Sequence, residues 1–343
     1  MAIGQDNAPA TDADDRTKPP FLRRVRIQGY KSIAFCDVVL QPLTILVGRN
    51  ASGKSNFLDA LAFLRDVVVR GLQEAIHLHG GRKAILHRSS NGTTVSIYIQ
   101  IGYQEEKTGC DHFCNYYLEI ALPLKSKPVF LIERGRINRA IDGRIIGFDR
   151  AILNPTWTGS IEGGDESPER FEGESGDRSV LDLPASILKE MRNGLAVAGF
   201  YNFSPEAIRE LQKPEPGNQL KRDGRNLASV LEGIRESDPE SLGRIKAYLS
   251  AIVDEVNGFE VVPYGDYETV RFQLRSKGAE GKPIEFDASS MSDGTLRALA
   301  ALVAAFQNTS GHGPSVIGIE EPETALHPAA MRALVDALEE ATG

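Results

Sequence analysis

Apolar residues change their period several times along this chain, and each change predicts a different element. In "FLRRVRIQGYKSIAFCDVVL" apolar and polar positions alternate, which half-buries a strand, so two short strands are expected. "LTILVG" is apolar up to a glycine and predicts a buried strand. In "SNFLDALAFLRDVV" the spacing becomes helical: Phe57, Leu58, Leu61, Leu64 and Val68 share one face, which predicts a helix packed against the sheet it follows. The runs "TVSIYIQIGY", "NYYLEIALPL", "PVFLIER" and "RINRAI", separated by polar turns, predict an antiparallel sheet.

The pattern then breaks. "GSIEGGDESPERFEGESGD", residues 159–177, is dominated by Gly, Ser and acidic side chains and reads as an exposed flexible loop. Helices follow: "SPEAIRELQ" opens with Ser204 and Pro205, and "DPESLGRIKAYLSAIVDEVNG" opens with Asp238 and Pro239 and closes at Gly258, with an apolar stripe of Leu242, Ile245, Leu249, Ile252 and Val256. Near the end come a helix "TLRALAALVAAF" with Leu296, Leu299, Val303 and Phe306 on one face, a strand "SVIGI" and a helix "HPAAMRALVDAL". No heptad is sustained, so long coiled-coil arms are not expected. The expected division is a polar tail at 1–20, a first α/β part at 21–158, the acidic loop at 159–180, a helical insertion with strands at 181–284, and a closing α/β part at 285–343.

Composition narrows the class. With 343 residues, 41% of them hydrophobic, the chain can bury a sizeable core. A formal charge of -8 argues against a uniform electrostatic coating of nucleic acid. Arg23, Arg24 and Arg26, and Lys125, Lys127, Arg134, Arg136, Arg139 and Arg144, read as solvated strand faces rather than a phosphate track. No apolar run approaches the ~20 residues that span a bilayer, so a cytoplasmic protein without a membrane partner is expected. Cys36, Cys110 and Cys114 form no disulfide framework, and "CDHFC" crowds Cys110, His112 and Cys114 together without a second knuckle, so incidental thiols are expected rather than zinc.

Three stretches carry chemistry. "GRNASGKS" places Gly48, Arg49, Asn50, Ala51, Ser52, Gly53, Lys54 and Ser55 between an expected strand and an amphipathic helix that continues with Asn56. Its glycines let backbone amides converge on a phosphate, Lys54 neutralises β/γ-phosphate charge and Ser55 offers a hydroxyl to Mg²⁺. "VIGIEEPETALHP" delivers two carboxylates at a strand end: Glu320 is assigned to Mg²⁺ and Glu321 to the attacking water. "MSDGTLRAL" places Ser292, Asp293, Gly294 and Thr295 at a helix start, a second anion-binding terminus. One nucleotide does not need two such termini from one chain, so the economical expectation is a two-fold dimer in which a second copy presents Ser292 to the γ-phosphate.

"GRNASGKSN", "SSMSDGTLRAL" and "IGIEEPETALHP" together resemble the ABC-type ATPase heads of the SMC, RecF and OLD-like group, in its compact form without coiled-coil arms. The resemblance implies a P-loop fold of mixed α/β class with an antiparallel β region and a helical insertion. It also implies ATP and Mg²⁺ as ligands and an ATP-dependent homodimer. By the same likeness Ser292–Thr295 is the signature that meets the partner copy's γ-phosphate, and "ETALHP", with Glu323 and His327, is the dimer-facing loop. Tyr30, Lys31 and Ser32 of "GYKSI" would lie near the base and sugar of ATP. Glu320 stands where the group has an aspartate, Gln100 and Gln104 are the candidates for its sensing glutamine, and the group continues past the position of "ALEEATG" into a strand ending in a histidine. The expected function is an ATPase in a DNA-related process such as repair or anti-phage defence, acting with a separately encoded nuclease or other effector. The alternative is a non-hydrolysing, ATP-gated interaction module.

Overall fold

The computed structural model describes residues 22–88, 92–104, 111–123, 125–139, 145–151, 156–162, 169–174, 192, 195–275, 283–307 and 316–342. The expected tail at 1–20 lies outside them. Alternation at the start produces a hairpin of β1 (Leu22–Tyr30) and β2 (Ile33–Val39), in which Tyr30 pairs with Ile33 across the turn Lys31–Ser32. Val25 and Ile27 are fully buried on the inner face, while Arg24 and Arg26 on the outer face both bind Asp37.

The next stretch departs from expectation. Leu43–Gly48 joins no ladder among the described residues. Leu46 packs on the core, whereas Ile45 is 63% and Val47 86% exposed. The segment is thus half-buried rather than a buried strand, because no strand among the described residues pairs with it.

Helix α1 (Lys54–Arg70) buries Phe57, Leu61, Leu64 and Val68 as predicted. It buries Ala60, Phe63 and Val67 as well, so more than one face is covered, partly by α2 (Leu72–Leu78), which is followed by α3 (Arg82–Ile85). Six further strands extend the hairpin: β3 (Thr94–Gln104), β4 (Asp111–Ala121), β5 (Val129–Arg139), β6 (Ile145–Ala151), β7 (Thr156–Glu162) and β8 (Glu169–Glu174). The eight lie in the order β2-β1-β3-β4-β5-β6-β7-β8, every neighbouring pair antiparallel. "PVFLIER" and "RINRAI" contribute to one strand, since Gly135 pairs with Tyr116 without breaking the ladder. The acidic stretch expected as a loop instead supplies β7 and β8, with Thr156 opposite Glu174 and Ile161 opposite Glu169. Ladder bonds are made by the backbone, so glycine and acidic side chains do not prevent them on a sheet's outer strands.

Beyond the sheet come β9 (Gly199–Tyr201), α4 (Pro205–Arg209), α5 (Leu227–Ser237) and α6 (Pro239–Ile252). Ser204 caps α4 at the Ala207 amide and Asp238 caps α6 at the Ser241 amide, as their sequences predict. Helix α6 stops at Ile252 rather than near Gly258, and Val256 instead opens a strand. The run "VNGFEVVPY" pairs as β10 (Val256–Tyr264) with β11 (Tyr267–Leu274), and β12 (Ile284–Asp287) completes that sheet. Helix α7 (Asp293–Phe306), β13 (Ile317–Ile319) and α8 (Pro328–Thr342) close the described chain.

Two hydrophobic cores result. One joins β1, β3 and β4 to α1–α3, and the other gathers α4–α8 with β10 and β11. They meet at the parallel pair of β9 and β13, where Phe200 belongs to the first core and Tyr201 to the second. Both α1 and the carboxyl ends of the parallel pair lie at this junction, which is where open α/β sheets place their ligands.

Candidate functional site

Gly53 adopts φ 102 at the N-cap of α1, a conformation a side chain resists, and it turns the chain from the loop into the helix. Ser52 donates its amide to the Arg49 carbonyl, and Lys54 Nζ donates to the carbonyls of Gly48 (2.7 Å) and Arg49 (3.1 Å), so the ammonium is held over its own loop. Arg49, Asn50, Ala51, Ser52 and Ser55 are exposed. Asn56 donates to Ser32 Oγ at 2.6 Å, which ties the loop and helix start to the β1–β2 turn. Sequence-distant Ser32 and Gly53 are therefore brought together. Tyr30 of the same turn is fully buried, so its ring is not available to a nucleotide base.

The acidic strand end lies beside this helix. A Cβ added at Gly318 of β13 would come within 2.9 Å of Leu58 of α1, so helix and strand are in close contact. Beyond the strand, Glu320 and Glu321 diverge. Glu320 donates its amide to Tyr201 O, and its side chain, 12% exposed, accepts from Arg222 at 3.2 Å. Glu321 is exposed, at φ 47, with Thr324 Oγ1 donating to its carboxylate at 3.4 Å. Among the described residues, the non-glycine positions of positive φ are Lys31, Ala51, Glu321 and Ala325. All four fall in the loops singled out by sequence, a concentration of strain typical of functional sites.

Behind the phosphate loop is a buried charged network. Asp59, one turn beyond Ser55, accepts from Tyr30 (2.6 Å), Lys31 and His79 Nδ1 (3.2 Å), and Arg222 reaches it at 3.9 Å. His79 Nε2 meets Asp66 at 3.0 Å. With a carboxylate on each ring nitrogen, both nitrogens donate and the ring is an imidazolium. Burial alone would depress the His79 pKa, but hydrogen bonds to Asp59 and Asp66 outweigh it and raise the value. Burial would likewise raise the two carboxyls, yet His79 and Lys31 hold Asp59 far below its ordinary value, and His79 and Arg65 hold Asp66 below. Burial and then Asp59 push the Tyr30 phenol up, so it remains a donor.

At the second anion-binding terminus Ser292 is the N-cap of α7. Its Oγ accepts from the Thr295 amide at 3.2 Å and lies 2.8 Å from Thr295 Oγ1. Arg209 braces the turn by donating to Met291 O (2.9 Å) and to Asp293. A Cβ added at Gly294 would run into the Ala325 carbonyl oxygen, so this turn and the loop after the acidic strand are packed together. The phosphate loop's helix and the Ser292 helix belong to different cores of the same chain.

Comparison with known proteins places this geometry. A family model described as "AAA ATPase domain" matches residues 21–144, and one described as "AAA domain, putative AbiEii toxin, Type IV TA system" matches residues 175–343. A crystal structure of an SMC head bound to the C-winged helix domain of ScpA is similar over 94% of this chain and 87% of that one, at 15% identity and a TM-score of 0.50. Between them the two ATPase models match most of this chain, and its fold is similar to that of an SMC head. Two curated proteins are similar over shorter stretches. The chain is 35% identical over 88 residues to chromosome segregation protein sudA of Emericella nidulans, which is 24% of this chain and 6% of that protein. It is 36% identical over 87 residues to urease accessory protein 2 of Cryptococcus neoformans var. grubii, again 24% of this chain and 7% of that protein. The chain thus spans less than a tenth of the length of either.

Nucleotide binding is what the matching ATPase models imply, and the donors present suit a hard divalent cation beside it. The Ser55 hydroxyl and Glu320 carboxylate offer oxygen donors, and the guanidinium on Glu320 shows that carboxylate already accepting a cation. Among the described residues no group of three or more His, Cys, Asp or Glu gathers as a metal site, which leaves most of any Mg²⁺ shell to phosphate oxygens and water. Gln100 is a rung of the antiparallel sheet, bonded to Asn115 at 3.2 Å, and Gln104 ends the same strand. Neither stands on β9 or β13. The residue that follows β9, beside Glu320, is Asn202, which sequence reading passed over along with Arg222 and Asp59. "LKRDGRNLASVL" announces a basic turn, but no periodicity links position 222 to position 320. Cys114 points into the first core, where burial raises its thiol pKa, while Cys110 and the His112 side chain lie outside the described residues. Among the described residues no helix is long and apolar enough to cross a membrane.

Proposed function

We propose that this chain is an ATPase of the SMC/RecF-like type that binds ATP with Mg²⁺ across a two-fold contact between copies, hydrolyses it to ADP and phosphate, and uses the closing and opening of that dimer to gate a DNA-related process such as repair or anti-phage defence. The observation that carries the reading is the meeting of α1 and β13, which sets the phosphate loop and two diverging carboxylates on one edge. The amides of Gly48 to Gly53 cradle phosphates, Lys54 leaves its loop carbonyls for the β/γ-phosphates, and Lys31 and Ser32 flank the nucleoside. Mg²⁺, held by Ser55 and Glu320, would supply charge neutralisation. Glu321 is turned outward and orients and deprotonates the attacking water. Ser292, Asp293, Gly294 and Thr295 of the second copy cap the γ-phosphate, so closure is favoured only when that phosphate is present.

The test uses Glu321→Gln protein, sized in solution with ATP and Mg²⁺, and the same protein carrying Ser292→Arg. An ATP-dependent dimer is expected for the first and its loss for the second. Steady-state phosphate release should fall by about a hundredfold or more in Glu321→Gln with ATP binding retained. Intact binding without turnover in the unmodified chain would recast it as an ATP-gated interaction module.

A further inference from the structure

We propose that Arg222 is a tethered counter-cation of Glu320 that competes with a divalent metal for this carboxylate, so that metal loading and the loop at 219–226 are coupled. The inference rests on the reading of Glu320 as the metal-facing carboxylate.

Glu320 is mostly withdrawn from water, and a carboxylate in that position needs a cation or a full set of donors. Among the described residues, the cation paired with it is Arg222, at 3.2 Å. The same guanidinium lies 3.9 Å from Asp59. Asp59 already receives Tyr30, Lys31 and His79, so it loses little when Arg222 departs. The dependence is therefore one-sided: Arg222 can leave Asp59 freely, but it can leave Glu320 only when another cation takes its place.

The surroundings permit that departure. Arg222 is 54% exposed, and a cavity of about 500 Å³ lined by Asn202, Lys221, Arg222, Asp223 and Arg225 adjoins it. Its main chain is anchored, with Arg222 O accepting from Asn202 and Asp223 O accepting from Ser204, so the side chain moves on a fixed base. Its basic neighbours are engaged elsewhere, Lys221 with Glu215 and Arg225 with Asp223. A divalent metal and a guanidinium on one carboxylate repel each other, and the metal carries the larger charge, so metal at Glu320 weakens the hold of that carboxylate on Arg222. Metal at Glu320 thus sends Arg222 into the cavity and changes the charge presented by the loop.

The experiment measures Mn²⁺ binding to the nucleotide-free full chain from the free Mn²⁺ signal in electron paramagnetic resonance. Arg222→Gln should bind Mn²⁺ about threefold more tightly than the unmodified chain, the scale of a half-exposed ion pair. Arg222→Lys, with a shorter tether, should fall between them and guards against misfolding of the first variant. Glu320→Gln should bind weakly, and adding Arg222→Gln to it should change nothing. Equal or weaker binding by Arg222→Gln would overturn the proposal, as would a gain that persists without Glu320 or the lack of measurable binding in both proteins. Titration with a fluorescent ATP analogue runs alongside: its failure to bind would sink the nucleotide reading while the Mn²⁺ comparison still decides the role of Arg222.

Discussion

His79 sits between Asp59 and Asp66 as the shared cation of two buried carboxylates, directly behind the phosphate-loop helix. Its raised pKa makes its contribution to stability complete below its ordinary value of about 6.5, and that contribution is lost as pH rises through the raised folded value. Asp59 and Asp66 act in the opposite sense, since their depressed values bring stability that is present above about 3.9 and lost as pH falls. Thermal melts should therefore show a plateau with an alkaline decline that begins as pH rises past about 6.5. His79→Gln should flatten that decline and lower stability near pH 6 by about 3 kcal/mol, because it leaves two buried carboxylates without their common cation. An unchanged alkaline slope in the variant would assign the decline to other groups. Lys54, Ser55 and Glu321 were legible as single residues because a motif names them by spacing. Asp59, His79 and Arg222 were not, because what each one does depends on partners 13 to 163 positions away.

Elements were legible where side-chain period and local capping agree. Helices α1 and α7 bury the faces that their spacing predicts, and Ser204, Asp238 and Ser292 cap where their sequence positions imply. Disagreement arose where pairing decides. Residues 159–162 and 169–174 form strands through backbone bonds that acidic composition hides, and Leu43–Gly48 has strand-like composition but no ladder partner among the described residues. Packing between elements yields its own test. Gly294 is the point at which the start of α7 touches the loop of Glu321 to Ala325. Gly294→Ala would force that backbone contact apart and should cost about 2 kcal/mol, the scale of an overpacked contact. A denaturant midpoint equal to that of the unmodified chain would show the loop yielding instead.

At the scale of the whole molecule, two cores meet along β9 and β13, with the phosphate loop anchored in one and the Ser292 turn in the other. If each nucleotide is shared between copies, Lys54→Ala and Ser292→Arg chains, each inactive alone, should recover turnover when mixed. A heterodimer then combines the intact Lys54 of one chain with the intact Ser292 of the other, and at equal concentrations random pairing makes about half of all dimers mixed. No recovery at concentrations that support dimers would place both groups on one chain's own nucleotide. By itself the sequence determined the local features: a glycine turn into a helix, two carboxylates at a strand end, a capped helix start, and the period of the elements that carry them. All of these depend on residues within a turn or two of one another. Tertiary structure alone decided which of these ends share an edge, which charge neutralises Glu320, and which apolar stretch finds a ladder. Those outcomes depend on pairings across tens to hundreds of residues, where backbone bonding and burial leave no periodic trace in the chain.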